Sequence, residues 1–295
     1  MNIQLSNLSR ELERVVLIGA SGFIGATIQR QLSVQGVPTL GLTSSDVDLA
    51  DASALAQLVT LLKPTDSVVM LAALTPDKGR DMATLMKNLA MMQNVCAAIE
   101  KIGCTHFVYF SSDAVYDTAI SHVSEATPTS PQDLYGAMHN TREIMARSLV
   151  NIPVLVLRPT IVYGADDTHN SYGPNRFRRM AKKDGRITLF GEGEETRDHI
   201  HVDDVAALTV SCLLHGRTGI VNIATGVSRS FREVAEFVAQ QFGNSIEIIA
   251  TPRANPITYR HYEVTKLIKA FPNFRFIALE EGVISTHRQT TEESA

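Results

Sequence analysis

Arg14-Val15-Val16-Leu17-Ile18 opens a chain in which short apolar runs alternate with stretches of helical periodicity. The run is continuously apolar and ends in glycine, the pattern of a strand buried on both faces. From Phe23 to Val34 the period becomes helical, with Ile24, Ile28 and Leu32 at i, i+4 and i+8. Thr39–Leu42 reads as a second strand, Ala54–Leu62 as a helix stopped by Pro64, and Ser67–Ala72 as a third strand. Met82–Ile102 predicts a long helix, His106–Phe110 a fourth strand, Tyr135–Leu149 a helix and Val154–Leu157 a further strand. Such alternation argues an α/β fold, a doubly wound parallel sheet covered on both faces. After about Gly164 the alternation loosens, and Gly173-Pro174, Gly191-Glu192-Gly193 and Pro252 to Pro256 are loop signals. The expected organisation is a nucleotide-binding sheet domain over 14–164 and a smaller C-terminal α/β substrate-binding lid mainly over 165–295. Some later segments are expected to return to the sheet, so the boundary is interleaved.

Composition narrows the function without changing this picture. A net charge of −4, with no run of lysines and arginines, offers no field for nucleic acid. No apolar stretch reaches the roughly 18 to 20 residues that span a bilayer, and Met1 to Arg14 lack the apolar core of a signal peptide. A cytoplasmic location is expected. Cys96, Cys104 and Cys212 match no metal or disulfide spacing and read as small core residues in a reducing compartment.

Candidate chemistry begins at Gly19-Ala20-Ser21-Gly22-Phe23-Ile24-Gly25, which follows a strand and opens a helix. In that context the glycines permit a tight turn, a close approach of backbone to a pyrophosphate, and close helix–strand packing. The helix N-terminus adds free N–H groups and partial positive charge. The spacing is G-x-x-G-x-x-G. At the end of the second strand, where a carboxylate selects NAD or an arginine NADP, stand Thr43-Ser44-Ser45; hydroxyls serve either cofactor. Ser112 ends the fourth strand and Tyr135 follows 23 residues later at a helix start.

The glycine loop, Ser111-Ser112-Asp113 and Tyr135-Gly-Ala-Met-His139 together resemble the short-chain dehydrogenase/reductase superfamily, in which serine, tyrosine and lysine act as a unit. His139 stands at the lysine position, four residues after Tyr135. In the superfamily that lysine lowers the tyrosine pKa by its charge and holds the nicotinamide ribose. Histidine, ordinarily near 6.5, is mostly neutral at pH 7. Arg142 lies on roughly the same helix face two turns along and is expected to be too distant to stand in.

Leu157-Arg158-Pro159-Thr160-Ile161-Val162-Tyr163-Gly164, Phe190-Gly191-Glu192-Gly193 and Arg197-Asp198-His199-Ile200-His201-Val202-Asp203-Asp204-Val205-Ala206 are similar to the extended branch, the NAD-dependent epimerase/dehydratase family. The resemblance runs from Val15 to about Gly282 and implies a Rossmann fold, NAD or NADP as cofactor (NAD slightly preferred) and a nucleotide-sugar substrate. It implies cofactor contacts from Gly19, Ser21, Gly22, Phe23, Ile24, Gly25, Thr43, Ser44, Asp48, Leu49, Leu71, Ala72, Ala73, Tyr135, His139, Pro159 and Val162. Catalysis falls to Ser112, Asp113, Tyr135 and His139. Thr75 and Asn175 are implied substrate contacts, and Arg197 and Arg253 a clamp on the diphosphate. His199, His201 and Asp203 have metal-like spacing but are expected to start a helix and hold a loop, so no metal is assigned.

The family's 4,6-dehydratases carry Thr-Asp-Glu where this chain has Ser112, Asp113 and Ala114, which argues against that reaction. Ser-Ser-Asp-Ala-Val-Tyr-Asp resembles 4-keto-sugar reductases, whereas the Arg-Asp-x-x-His-Val string favours epimerases. The reading is hydride transfer at a sugar C4, by an epimerase or a ketoreductase, in a homodimer pairing through Met82–Ile102 and Tyr135–Leu149. Its rivals are an NAD(P)-binding sensor or scaffold with weak or lost catalysis, and a reductase of a non-sugar carbonyl.

Overall fold

The computed structural model describes residues 10–243 and 245–292 of the chain. They form two compact units. The first holds 10–117, 127–159 and 205–223; the second holds 118–126, 160–204, 224–243 and 245–292.

In chain order, β1 (Arg14–Ile18), α1 (Phe23–Val34), β2 (Thr39–Leu42), α2 (Ala54–Leu61), β3 (Asp66–Met70), α3 (Met82–Ile102) and β4 (His106–Phe110) belong to the first unit. β5 (His122–Val123) belongs to the second; α4 (Leu134–Arg147) and β6 (Val154–Pro159) belong to the first. β7 (Ile161–Tyr163), α5 (Pro174–Asp184), β8 (Arg186–Phe190) and β9 (Thr196–His201) follow in the second unit. α6 (Val202–Leu214) starts there and carries the chain into β10 (Gly219–Ile223) of the first. β11 (Ser228–Ser230), α7 (Phe231–Gln240), β12 (Glu247–Thr251), β13 (His261–Tyr262), α8 (Thr265–Ala270) and α9 (Leu279–Glu292) complete the second unit.

The first unit is built on six parallel strands in the order β2-β1-β3-β4-β6-β10. The winding reverses between β1 and β3, and in such sheets ligands bind outside the carboxyl ends of the strands at that point. Continuous apolar sequence suits these strands, because helices take both faces out of water. Val16, Val68, Met70, Phe107 and Val156 pack with Met92 and Val95 of α3 in one core.

The element ends differ from the sequence reading for local reasons. β3 begins at Asp66, whose carboxylate receives the Arg14 guanidinium at 2.7 and 2.8 Å. It stops at Met70, not Ala72, because the N–H groups of Leu71 and Ala72 both turn onto the Ile18 carbonyl. α4 begins one residue early, capped by Asp133, which accepts from the Gly136 N–H at 2.8 Å, and ends at Arg147. β6 runs on to Pro159, drawn out by its register with β10.

The second unit carries a three-stranded sheet, β7-β9-β11, and two parallel pairs, β8-β12 and β5-β13. Tyr163, Phe177, Ile187, Leu189, Phe231, Val234 and Val238 form its core. The buried Asp198 carboxylate fixes the turn after β10, accepting from Thr225 N–H at 3.0 Å, the Thr225 hydroxyl at 2.9 Å and Gly226 N–H at 2.8 Å. Burial raises its pKa to about 6 against those hydrogen bonds.

Candidate active site

Gly19 has φ +97°, in the left-handed region where side chains are strained, and a Cβ there would meet the Ala72 N–H at 2.9 Å. A Cβ on Gly25 would run into the Gly19 carbonyl. The loop therefore closes tightly onto the end of β3 and delivers Gly22, the uncapped N-cap of α1, to the carboxyl edge of the sheet. First-turn N–H groups of a helix have no intrahelical partner, so with Phe23 and Ile24 leading α1 these donors could meet an anion such as phosphate. Ser21 is exposed beside it.

Beside this loop lies a cleft of about 560 Å³ lined by Gly19, Leu42, Thr43, Ser44, Val47, Asp48, Leu49, Ala72, Leu74, Lys87 and Met91. Thr43, Ser44, Asp48, Leu49 and Ala72 thus line one cleft, with Leu71 and Ala73 flanking Ala72 in the same segment. The α3 residues Lys87 and Met91 were not singled out from the sequence. Nor was Asp46, which accepts from the Thr43 N–H at 2.8 Å and the Thr43 hydroxyl at 2.7 Å. Those two bonds hold the Asp46 carboxyl below its usual range. The Thr43 proton expected for a cofactor is therefore already committed.

Ser112 caps the short 3-10 turn Asp113–Val115: its Oγ accepts from the Ala114 N–H at 3.2 Å and donates, at a long 3.4 Å, to the Asp113 carboxylate. α4 packs directly against this turn. A Cβ on Gly136 would collide with the Ala114 carbonyl, so glycine after Tyr135 is what lets the helix come this close. Tyr135, half-buried on the first turn, is thereby set against Ser112 and Asp113. Burial pushes its phenol up to about 12; the Asp113 charge adds to this, while the Ser112 hydroxyl and the Arg142 charge pull it down. A cleft of about 460 Å³ reaches Tyr135 and is also lined by Arg80, Asp81, Thr84, Asn88, Asp133 and Met138. Arg80 is a further residue the sequence reading missed. Thr75 lies in the preceding segment with its hydroxyl donating to Asp77 at 2.5 Å.

His139 is buried, its ring edge-on to Tyr135 at 4.6 Å between centroids. Its Nδ1 lies 2.7 Å from the Tyr109 hydroxyl and its Nε2 is buried without a protein partner. Burial first, then the Arg142 charge, lowers its pKa to about 3, so the ring is neutral. Arg142 bonds to Ala72 and Asn88. It lies buried on the same helix, and its charge reaches Tyr109, Tyr135 and His139.

In the second unit, Arg197 and Arg253 converge on one carboxylate, with Glu195 at 3.9 Å from Arg197 and 3.3 Å from Arg253. Arg197 also donates to Thr258 Oγ1 at 2.6 Å, and Arg253 to Glu194 at 2.7 Å. Arg260, not singled out from the sequence, is buried just before β13, and its backbone N–H donates to the Thr196 carbonyl. Asn175 departs from the expected substrate contact in its bonding: its amide donates to Asp167 at 2.7 Å and accepts from the Gly164 N–H at 3.4 Å. Pro159 ends β6 of the first unit, and Val162 pairs with Ile200 in the second.

His201 accepts from the Asp203 N–H at 3.2 Å at the start of α6, and buried His199 packs edge-on to Phe231. Among the described residues no group of three or more His, Cys, Asp or Glu side chains is placed to hold a metal ion. Cys96, Cys104 and Cys212 are buried free thiols, each pushed up to about 12, chiefly by burial. Among the described residues no helix is long and apolar enough to cross a membrane.

Comparison with known proteins agrees with this architecture. Residues 15–224 match the model of the NAD dependent epimerase/dehydratase family. A UDP-glucose 4-epimerase of Mycolicibacterium smegmatis is 28% identical, covering 92% of this chain and 97% of its own. An ADP-L-glycero-D-manno-heptose-6-epimerase of Alkalilimnicola ehrlichii is 25% identical over 91% of this chain and 95% of its own. The crystal structure of a GDP-L-fucose synthetase from Naegleria fowleri bound to NADP superposes with a TM-score of 0.86 at 18% identity, covering 99% and 98% of the two chains.

Proposed function

The chain belongs to the NAD dependent epimerase/dehydratase family, and on that premise we propose that it transfers hydride at C4 of a nucleotide sugar, with NAD or NADP as cofactor. The observation that carries this reading is the close docking of α4 on the Ser112 turn through Gly136, which sets a phenol beside a serine hydroxyl at the carboxyl edge of a doubly wound sheet.

The residues present fit such a cofactor. The Gly19–Gly25 loop has no room for side chains at its first and third glycines, and the buried Nε2 of His139 is an unused polar atom beside Tyr135. Gly19, Gly22 and the first turn of α1 would hold the pyrophosphate, Thr43, Ser44, Asp48 and Leu49 the adenosine, and His139 the nicotinamide ribose. When bound, the nicotinamide supplies the hydride acceptor and donor.

The chain's own residues handle the proton. Ser112, whose hydroxyl proton goes to Asp113 over a long 3.4 Å contact, donates to the C4 oxygen and holds it in place. Tyr135 exchanges the proton with that oxygen. With its pKa raised, Tyr135 rests as the neutral phenol, the form that delivers a proton to a carbonyl. Arg197 and Arg253 are the proposed diphosphate clamp: both already meet the Glu195 carboxylate, an anion that a diphosphate would replace. Ala114 in place of glutamate disfavours 4,6-dehydration.

Tyr135→Phe and Ser112→Ala test the assignment. Each should lower turnover by roughly 10²- to 10⁴-fold, the usual worth of general acid–base catalysis, while cofactor affinity measured by calorimetry stays within a few-fold. Turnover unchanged in Tyr135→Phe would remove the phenol from the chemistry. The neutral His139 favours one rival, a cofactor-binding sensor without catalysis; that reading requires cofactor binding and no product with any nucleotide sugar. A cytoplasmic homodimer is part of the proposal. Met82 and Met86 of α3 and Ile144 of α4 are exposed apolar side chains on the helices expected to pair, and sedimentation equilibrium at one protomer mass would exclude it.

A further inference from the structure

Arg142 is a cation with an unusual setting. It is fully buried, yet among the described residues its guanidinium meets carbonyl oxygens where a carboxylate would be expected. Nη1 donates to the Ala72 carbonyl at 2.9 Å, and Nε donates to the Asn88 carbonyl at 2.9 Å. Nη2 reaches the Asn88 side-chain oxygen at 3.2 Å. Its charge is therefore not cancelled locally, and buried charges interact over longer distances than solvated ones.

The neighbouring hydrogen bonds have a direction. Burial holds the Tyr109 phenol well above its usual range, against the pull of the Arg142 charge, so it keeps its proton. The phenol O–H then finds its acceptor in His139 Nδ1 at 2.7 Å. A neutral imidazole with Nδ1 accepting carries its proton on Nε2, the atom that is buried without a partner. The bond starts at the Tyr109 hydroxyl and leaves an unused N–H donor one helical turn from Tyr135.

We propose that Tyr109 and His139 take over the ribose contact of the missing lysine: the Tyr109 hydroxyl fixes the His139 tautomer, which presents Nε2–H to a ribose hydroxyl of the cofactor, while Arg142 anchors the helix that carries them. This rests on the proposed hydride-transfer reading for its purpose. Arg142 and Tyr109 are then positioning residues, since neither touches substrate. The same arginine ties α4 to Ala72 beneath the glycine loop and to Asn88, whose side chain spans both the N–H and the carbonyl of Leu74. Displacement of the helix that carries Tyr135 would therefore be felt at the cofactor loop.

Tyr109→Phe removes one hydroxyl and its bond to His139 while leaving the imidazole in place. The ¹⁵N chemical shifts of His139 in the cofactor-free wild type should show the Nε2–H tautomer with Nδ1 hydrogen-bonded; in Tyr109→Phe the tautomers should mix. Cofactor affinity should weaken roughly tenfold, about 1.4 kcal/mol.

An Nδ1–H tautomer in the wild type overturns the proposal, as does a folded Tyr109→Phe with unchanged tautomer and affinity. If Tyr109→Phe does not fold, the wild-type tautomer still decides. A wild type that binds cofactor but turns nothing over bears on the hydride-transfer reading alone, because tautomer and affinity are measured without turnover.

Discussion

Gly136 shows how far one missing Cβ decides this site. The atom that alanine would add falls onto the Ala114 carbonyl and within 2.9 Å of Pro131 Cβ, so α4 would have to back away from the turn that carries Ser112. Misplacement of reacting groups by about 1 Å can cost about 10²-fold in rate. Gly136→Ala is accordingly expected to lose about that much turnover while keeping cofactor affinity near wild type, as read by steady-state kinetics beside calorimetry. The sequence showed Gly136 as part of a motif but not this reason for it. Nor could it show that Asn175 and Thr43 spend their polar atoms on Asp167 and Asp46, since hydrogen-bond partners are a property of the folded loops. Arg142 is the clearest case: helical spacing placed it two turns from Tyr135, but its burial depends on Ala72 and Asn88 from other elements.

At the scale of elements, α4 is braced as well as docked. Glu143, two turns beyond Tyr135, takes both nitrogens of a two-point contact from Arg158 of β6 at 2.8 and 2.6 Å and a proton from Ser111 at 2.6 Å. Arg158 completes the network by donating to Tyr116 at 2.7 Å. Removing one partner of a buried pair strands the other's charge, at about 3–5 kcal/mol. Glu143→Leu should therefore lower unfolding free energy by that order in urea titration, well beyond a surface substitution, and a change under about 0.5 kcal/mol would contradict the brace. Elements of this kind were legible. Arg14–Ile18, Phe23–Val34, Met82–Ile102 and His106–Phe110 match the structure end to end, because strands buried on both faces and long amphipathic helices write their period strongly into sequence. Two-residue strands do not: β5 and β13 pair across more than 130 residues with no run long enough to carry a period.

For the whole molecule, buried titratable groups set a pH dependence of stability. His106, His139 and His199 sit at about 4, 3 and 3, each lowered chiefly by burial. Unfolding returns them to about 6.5, so the unfolded chain binds more protons below that pH; their contribution is intact above 6.5 and is lost as pH falls toward 4 and 3. Asp198 and Asp204, raised to about 6 by burial, act oppositely, since between about 3.8 and 6 the folded chain holds the extra protons. Three histidines against two carboxyls leave about one proton in favour of the unfolded chain, roughly 1.4 kcal/mol lost per pH unit between 6.5 and 5. A urea midpoint as high at pH 5 as at pH 7 would contradict this balance. The weaving of the chain between two units, with 118–126 leaving the sheet unit early and 205–223 joining it late, was legible only in outline. Local sequence marks elements, whereas membership of a unit is decided by contacts far apart in the chain.

The measurement that reaches the central claim most directly follows deuterium at C4. The protein would be incubated with NAD or NADP and nucleotide sugars deuterated at C4, and in parallel with 4-keto-sugar nucleotides and nicotinamide-deuterated NADH or NADPH, with products read by NMR. Hydride transfer at C4 predicts a C4-inverted sugar that keeps its deuterium, or a reduced sugar that has gained it from the nicotinamide, in either case lost in Tyr135→Phe. Cofactor binding with no inversion, no reduction and no movement of the label across the panel would contradict it.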